Sequence, residues 1–188
     1  MKRRSTILAI TILAMVALIT ANAAAKSEEI TYTWLACGGI LTGGTSCPNT
    51  TFAAHGHKIQ ITGEGELTDH TKSATGGGTF VHTDADGNEV AAGTFVVTEL
   101  LNFRTYGPSP ATPEDWRTGL ARMRVDLMVD GEKVAEGILG VGCRLPEVKF
   151  PTSLFEGVKL NVLGGPNFNK LQTEGEMPPG GVTLFIEH

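Results

Sequence analysis

Hydrophobic and polar positions alternate with a period of two over much of this chain. Ile59, Ile61, Gly63, Gly65 and Leu67 interleave with Lys58, Gln60, Thr62, Glu64 and Glu66. Met123, Val125, Leu127 and Val129 interleave in the same way with Arg122, Arg124 and Asp126. Successive side chains of a strand point to opposite faces, so such runs put one face in a core and the other in water. No window of a dozen residues carries the 3.6-residue repeat of an amphipathic helix. The pattern predicts strands over 30–36, 57–68, 73–83, 89–105, 119–129, 132–145, 155–163 and 180–187. Turn-forming clusters separate several of them: Asp84 to Asn88, Asp130-Gly131, Gly164 to Asn167 and Pro178 to Gly181. The expected class is all-β and antiparallel, with about eight strands.

Two details refine that expectation. The run 89–105 is too long to stay straight in a small domain, and glycines recur inside strands at Gly63, Gly65, Gly77, Gly78, Gly93, Gly137, Gly140 and Gly142. Strand glycines mark sharp bends or close backbone approach, which suits a small β-barrel or a strongly coiled sandwich. At the Asp130-Gly131 turn, a two-residue loop sets Val125 opposite Glu136 and exchanges the faces. A three-residue loop, Val129 to Gly131, pairs Val125 with Ala135 and Ala121 with Leu139, and is therefore the expected form.

The N-terminus departs from this pattern. Lys2, Arg3 and Arg4 precede an apolar run from Ile7 to Ile19, and small residues follow at Ala21 to Ala25. A positive segment, a short apolar segment and an A-x-A site make a secretory signal peptide; a membrane span needs about 20 apolar residues. Residues 1–25 are thus read as cleaved and 26–188 as a single β domain. The signal segment removes three of the fifteen basic residues and none of the twenty acids, which leaves a net charge of −8. A negative chain without a basic stripe argues against nucleic acid or an anionic membrane as the main partner, and no integral span remains in the mature chain. The expected location is secreted or extracytoplasmic.

Cys37, Cys47 and Cys143 are the three cysteines. In an oxidising compartment two of them pair, and Cys37–Cys47 across a short Gly-rich loop is favoured over Cys37–Cys143. His55 and His57 can share a strand face, with His70 and His82 as further ligands, but no spacing supplies the three ligands of a catalytic zinc. Counted from Asp84, the sixth and twelfth positions of a calcium loop fall on Glu89 and Phe95, not Gly and Glu. We assign no metal and no cofactor. Nucleophile motifs such as Gly-x-Ser-x-Gly are absent. Asn49-Thr50-Thr51 is a glycosylation sequon. Tyr106 and Trp116 flank a Pro-rich connection, with Arg117 beside it; aromatics and arginine on loops are the preferred anchors for a partner, and closure of a barrel end by Trp116 is the competing role.

The runs Gly63-Glu-Gly-Glu-Leu67, Ala74-Thr-Gly-Gly-Gly-Thr-Phe-Val-His82, Asp84-Ala-Asp-Gly-Asn88, Leu100-Leu-Asn-Phe103 and Gly164-Gly-Pro-Asn-Phe-Asn-Lys170 resemble an uncharacterised family of secreted microbial all-β proteins with no known activity. The resemblance implies one exported β domain and carries over no functional residue.

The resulting expectation is a non-enzymatic exported binding or structural domain with an extracellular partner. The alternative is a barrel enclosing a small apolar ligand, as a carrier or a cyclase-like isomerase. Intact mass of the exported protein should place its N-terminus between Ala24 and Lys26; a product that retains Met1 contradicts the leader assignment.

Overall fold

The computed structural model describes residues 29–43, 47–171 and 181–188. The expected signal peptide, residues 1–25, lies outside the described residues. Twelve strands occur among them: β1 (Thr31–Ala36), β2 (Asn49–Phe52), β3 (Lys58–Thr68), β4 (Ser73–Ala74), β5 (Gly77–Thr83) and β6 (Glu89–Gly107). The remainder are β7 (Trp116–Val129), β8 (Glu132–Cys143), β9 (Gly157–Val162), β10 (Asn167–Phe168), β11 (Lys170–Leu171) and β12 (Thr183–Glu187). All eight expected strands are present, one of them broken into β4 and β5. The additions, β2, β10 and β11, are short. Among the described residues no helix is long and apolar enough to cross a membrane.

Every strand pairing is antiparallel, and six strands close a ring in the order β1, β3, β5, β6, β7, β12 and back to β1. A second circuit uses the same wall of β3, β5, β6 and β7. It leaves β7 through β8 and β9 and returns along residues 167–171. That segment pairs with β9 through Asn167 and Phe168 and with β2 through Lys170 and Leu171, and β2 pairs with β3. The fold is therefore barrel-like, with its two ends closed by different strands.

Coiling comes from bulges in the longest strand. Against β7, β6 shifts register between Val97 and Glu99, between Leu100 and Asn102, and between Thr105 and Gly107. Each bulge adds one residue to β6 and sharpens the local twist, which is how nineteen residues wrap a small core.

The β7–β8 hairpin corrects the expected three-residue loop. Val129 faces Glu132 across a two-residue turn, with Asp130 at φ 52° and Gly131 at φ 82°. Two left-handed residues form the type I′ turn that Asp-Gly favours. A bulge then follows, because Met128 faces Lys133 while Leu127 faces Ala135. The extra residue, Val134, is left exposed. It restores the parity that a two-residue turn by itself would break, so Val125 pairs with Gly137 and Ala121 with Val141.

The inward faces fill the barrel axis. Trp34, Ile61, Leu67, Phe80, Phe95, Met123, Val125, Leu139, Leu160 and Phe185 all belong to one buried cluster. Burying each such side chain contributes about 1.5–3 kcal/mol. Phe95 shows why its neighbours are glycines: a Cβ on Gly63 would stand 2.6 Å from its ring and one on Gly78 2.8 Å. The ring occupies the space that two side chains would otherwise take. Cys37 and Cys47 form the expected disulfide, with Cα atoms 5.5 Å apart, and Cys143 is a buried free thiol.

Neighbouring residues on β6 give a direct test of this packing. Phe95 is 3% exposed and Val96 49%. Phe95→Ala should cost about 3–5 kcal/mol in a urea unfolding curve and Val96→Ala under about 0.5 kcal/mol; similar losses would show that the inward and outward faces are misassigned.

Candidate functional site

The loop nominated from sequence ends in a clasp. Trp116 is the first residue of β7, not part of the loop, and its N–H donates to the Pro113 carbonyl at 3.0 Å. The side chain is half-buried and packs on the core. Arg117 donates from Nε and Nη2 to the two carboxylate oxygens of Glu187, at 2.9 and 2.7 Å, and from Nη1 to the carbonyls of Glu114 and Trp116. Glu187 is held below the usual carboxylate range by that guanidinium. It also sits against the buried phenol of Tyr32, whose pKa rises through burial and then through the Glu187 hydrogen bond. Tyr106 is half-buried with the Arg104 guanidinium over its ring at 5.3 Å. The Arg117 donors are thus spent on closing the barrel.

Just beyond β8, the connection 144–156 folds back over a buried carboxyl. Glu156 accepts N–H bonds from Arg144 and from Thr183, the latter at 3.1 Å. The Thr183 hydroxyl lies 2.5 Å from the Gly142 carbonyl and 3.0 Å from Glu156 Oε1. A hydroxyl has one proton, and the carbonyl can only accept. That proton is shared between the Gly142 carbonyl and Glu156 Oε1, both of which accept from Thr183. Burial pushes the Glu156 carboxyl up to about 7, against the opposing pull of its donors. The neighbouring Cys143 thiol is raised by burial first and by Glu156 second. Glu156 thus ties the end of β8 to the start of β12.

The outer face of β7, β8 and β9 carries a different constellation. Arg122, Gly140 and Lys159 lie in one cross-strand row. Ile138, Asn161 and Asn167 lie in the next. The Phe155 ring covers the glycine backbone, lying 3.3 Å from a Cβ placed on Gly140. Lys159 Nζ stands 4.4 Å from the centre of that ring. Two strand spacings of ~4.8 Å put the Arg122 and Lys159 backbones roughly 10 Å apart, and both long side chains flank the bare glycine. The result is a cleft of about 240 Å³ whose lining has two cations, three asparagines including Asn169, and no acid. Arg122 has no ion pair among the described residues. Such a surface complements one anionic group with hydroxyls or amides beside it.

Other nominated residues separate. Asp84 Oδ1 accepts N–H bonds from Asp86 and Asn88, and Oδ2 accepts from the Asn88 amide, so this tip is turn chemistry, as expected. Asn49 of the sequon is fully buried and donates to the Val182 carbonyl, out of reach of a glycan. His55 lies in a turn at φ 63°, and His57 instead meets His82, with Nδ1 and Nε2 3.0 Å apart. Sequence reasoning missed the outer cleft because its members come from separate strands and read as the ordinary wet face of a sheet. The glycine spacing at 140 and 142 was the only local hint. No protein-family model matches this chain, and neither the curated proteins nor the solved structures provide a match.

Glu156 sets a pH dependence of stability. Its folded pKa lies above the unfolded value of about 4.3, so the native state holds a proton that the unfolded chain releases. This contribution is full below about pH 4 and is lost as pH rises through about 7. Chemical unfolding should show stability falling by up to about 3 kcal/mol across that window, and Glu156→Gln should flatten the slope. An unchanged slope in the variant would assign the titration to another group.

Proposed function

We propose that this chain is an exported, non-enzymatic binding domain that takes its partner on the outside of the barrel. The observation that carries this reading is the cleft across Gly140, where Arg122 and Lys159 face each other with asparagines and no acid in the lining. Two cations without an ion pair among the described residues stand out on a chain with a net charge of −5. They suit a small anionic, hydroxyl-bearing group, such as a carboxylated sugar unit. The disulfide between Cys37 and Cys47 is compatible with an oxidising, extracytoplasmic compartment, as is the leader-like N-terminus.

The filled axis weighs against the alternative of an enclosed apolar ligand. Trp34, Met123, Val125 and Phe185 are completely buried there, in positions where a carrier needs open space. The Arg117 and Trp116 end is occupied by its own clasp, which makes it a closure rather than an anchor.

Affinity electrophoresis at low ionic strength, in gels containing polygalacturonate or neutral dextran, tests the proposal. Retardation is expected with the uronate polymer alone, and Arg122→Ser combined with Lys159→Ser should abolish it. Equal mobility of native and variant proteins in the uronate gel would remove the cleft as the site. Capture of one fatty acid per chain, seen by native mass spectrometry, would restore the enclosed-ligand reading.

A further inference from the structure

The two histidines that the fold brings together are independent of that cleft. His57 directly precedes β3, and His82 lies near the end of the neighbouring β5, where Ile59 is its cross-strand partner. The fold holds both in place. The His57 carbonyl accepts the Ala53 N–H at 2.8 Å, and the His82 ring packs edge-on against the buried Phe168 at 5.1 Å. His57 Nδ1 and His82 Nε2 are 3.0 Å apart, with the rings tilted by 40°. We propose that His57 and His82 form a two-imidazole site for a late first-row divalent cation, with Cu²⁺ preferred.

The geometry matches the coordination chemistry. Two nitrogens bound at about 2.0–2.1 Å and at a right angle stand ~2.9 Å apart, and at the tetrahedral angle ~3.4 Å. The observed separation is close to the square-planar value, which is the arrangement Cu²⁺ prefers. In the metal-free pair one ring donates its N–H to the other. Ligation needs both facing lone pairs, and the donor ring provides its own by moving that proton to its other nitrogen. Neither imidazole has to lose a net proton. Among the described residues no cluster of three or more histidines, cysteines or acids exists, so water completes the shell and the site keeps open positions. Imidazole ligands exclude Mg²⁺ and Ca²⁺, which take oxygen donors. Asp84, the nearest acid in sequence, is committed to its turn.

Isothermal titration of the purified protein with CuCl₂, ZnCl₂ and MgCl₂ tests the site, with electron paramagnetic resonance of the Cu²⁺ sample as a second readout. One Cu²⁺ should bind more tightly than Zn²⁺, with no heat from Mg²⁺ and a spectrum of two imidazole nitrogen ligands. His57→Gln and His82→Gln should each weaken Cu²⁺ binding at least tenfold, whereas His55→Gln and His70→Gln leave it unchanged. His57→Gln keeps its backbone bond to Ala53 and guards against a folding defect in the His82 variant. Cu²⁺ affinity that survives His57→Gln, or that is lost with His55→Gln, would overturn the assignment.

Discussion

The seam between β12 and β7 holds the smaller ring together, and it is short. Only two residue pairs join these strands, Arg117 with Phe185 and Trp116 with Ile186. A seam of that length is weak by backbone bonding alone, and a two-point charge pair reinforces it. Arg117 grips both oxygens of Glu187, and Glu187 lies against Tyr32 on β1. Three strands that are far apart in the chain therefore meet at one carboxylate. Partial burial makes this pair worth more than an exposed one, whose typical value is about 0–1 kcal/mol, and Nη1 donates to the carbonyls of Glu114 and Trp116. The same contacts convert the most conspicuous arginine on the loop into scaffold.

Closing the barrel has consequences for its interior. Aromatic and aliphatic residues from all six strands of the ring converge on the axis, and glycines opposite Phe95 give its ring room. Buried side chains fill the axis of the ring. On the outer face, Gly140 gives the Phe155 ring the room that Gly63 and Gly78 give Phe95 inside. A missing side chain creates space, here between two cations and beside a phenyl ring.

Two titratable groups then divide into distinct physical roles. Glu156 ties the ends of β8 and β12 together by accepting N–H bonds from Arg144 and Thr183, and burial raises its pKa to about 7. The His57–His82 pair lies near the turn-bearing end of β5, and its ring nitrogens face each other instead of the backbone. A carboxyl surrounded by backbone donors stabilises a loop. Two imidazoles joined by one N–H···N bond hold their nitrogens within reach of a shared cation, the role proposed for this pair.

Alternation in β3, β7 and β8 was legible because a sheet with one wet face must alternate, and the Cys37–Cys47 bridge was legible because a short sequence separation, here 10, makes closing the loop cheap. β2 was not: its inward residues are Asn49 and Thr51, both fully buried, and a polar residue facing inward inverts the pattern that reveals a strand. Asn49 Nδ2 donates to Val182 and the Thr51 hydroxyl bonds to Phe168 and Lys170, partners more than a hundred residues away, while the buried Asn49 Oδ1 finds no partner among the described residues. The β7–β8 register was half legible. Parity demanded an extra residue, but a bulge at Val134 supplied it after a tight Asp-Gly turn, since turn chemistry and face alternation are separate constraints that the chain met at separate positions. The amino-acid sequence by itself determined the class of fold, the faces of its strands and the disulfide, all of which follow from local periodicity and short spacing. The tertiary structure alone decided that Arg117 is a clasp, that burial raises the Glu156 pKa, that Arg122 and Lys159 flank one glycine and that His57 meets His82 rather than His55. Each of these depends on which strands become neighbours, and strand pairing is set by the closure of the whole sheet.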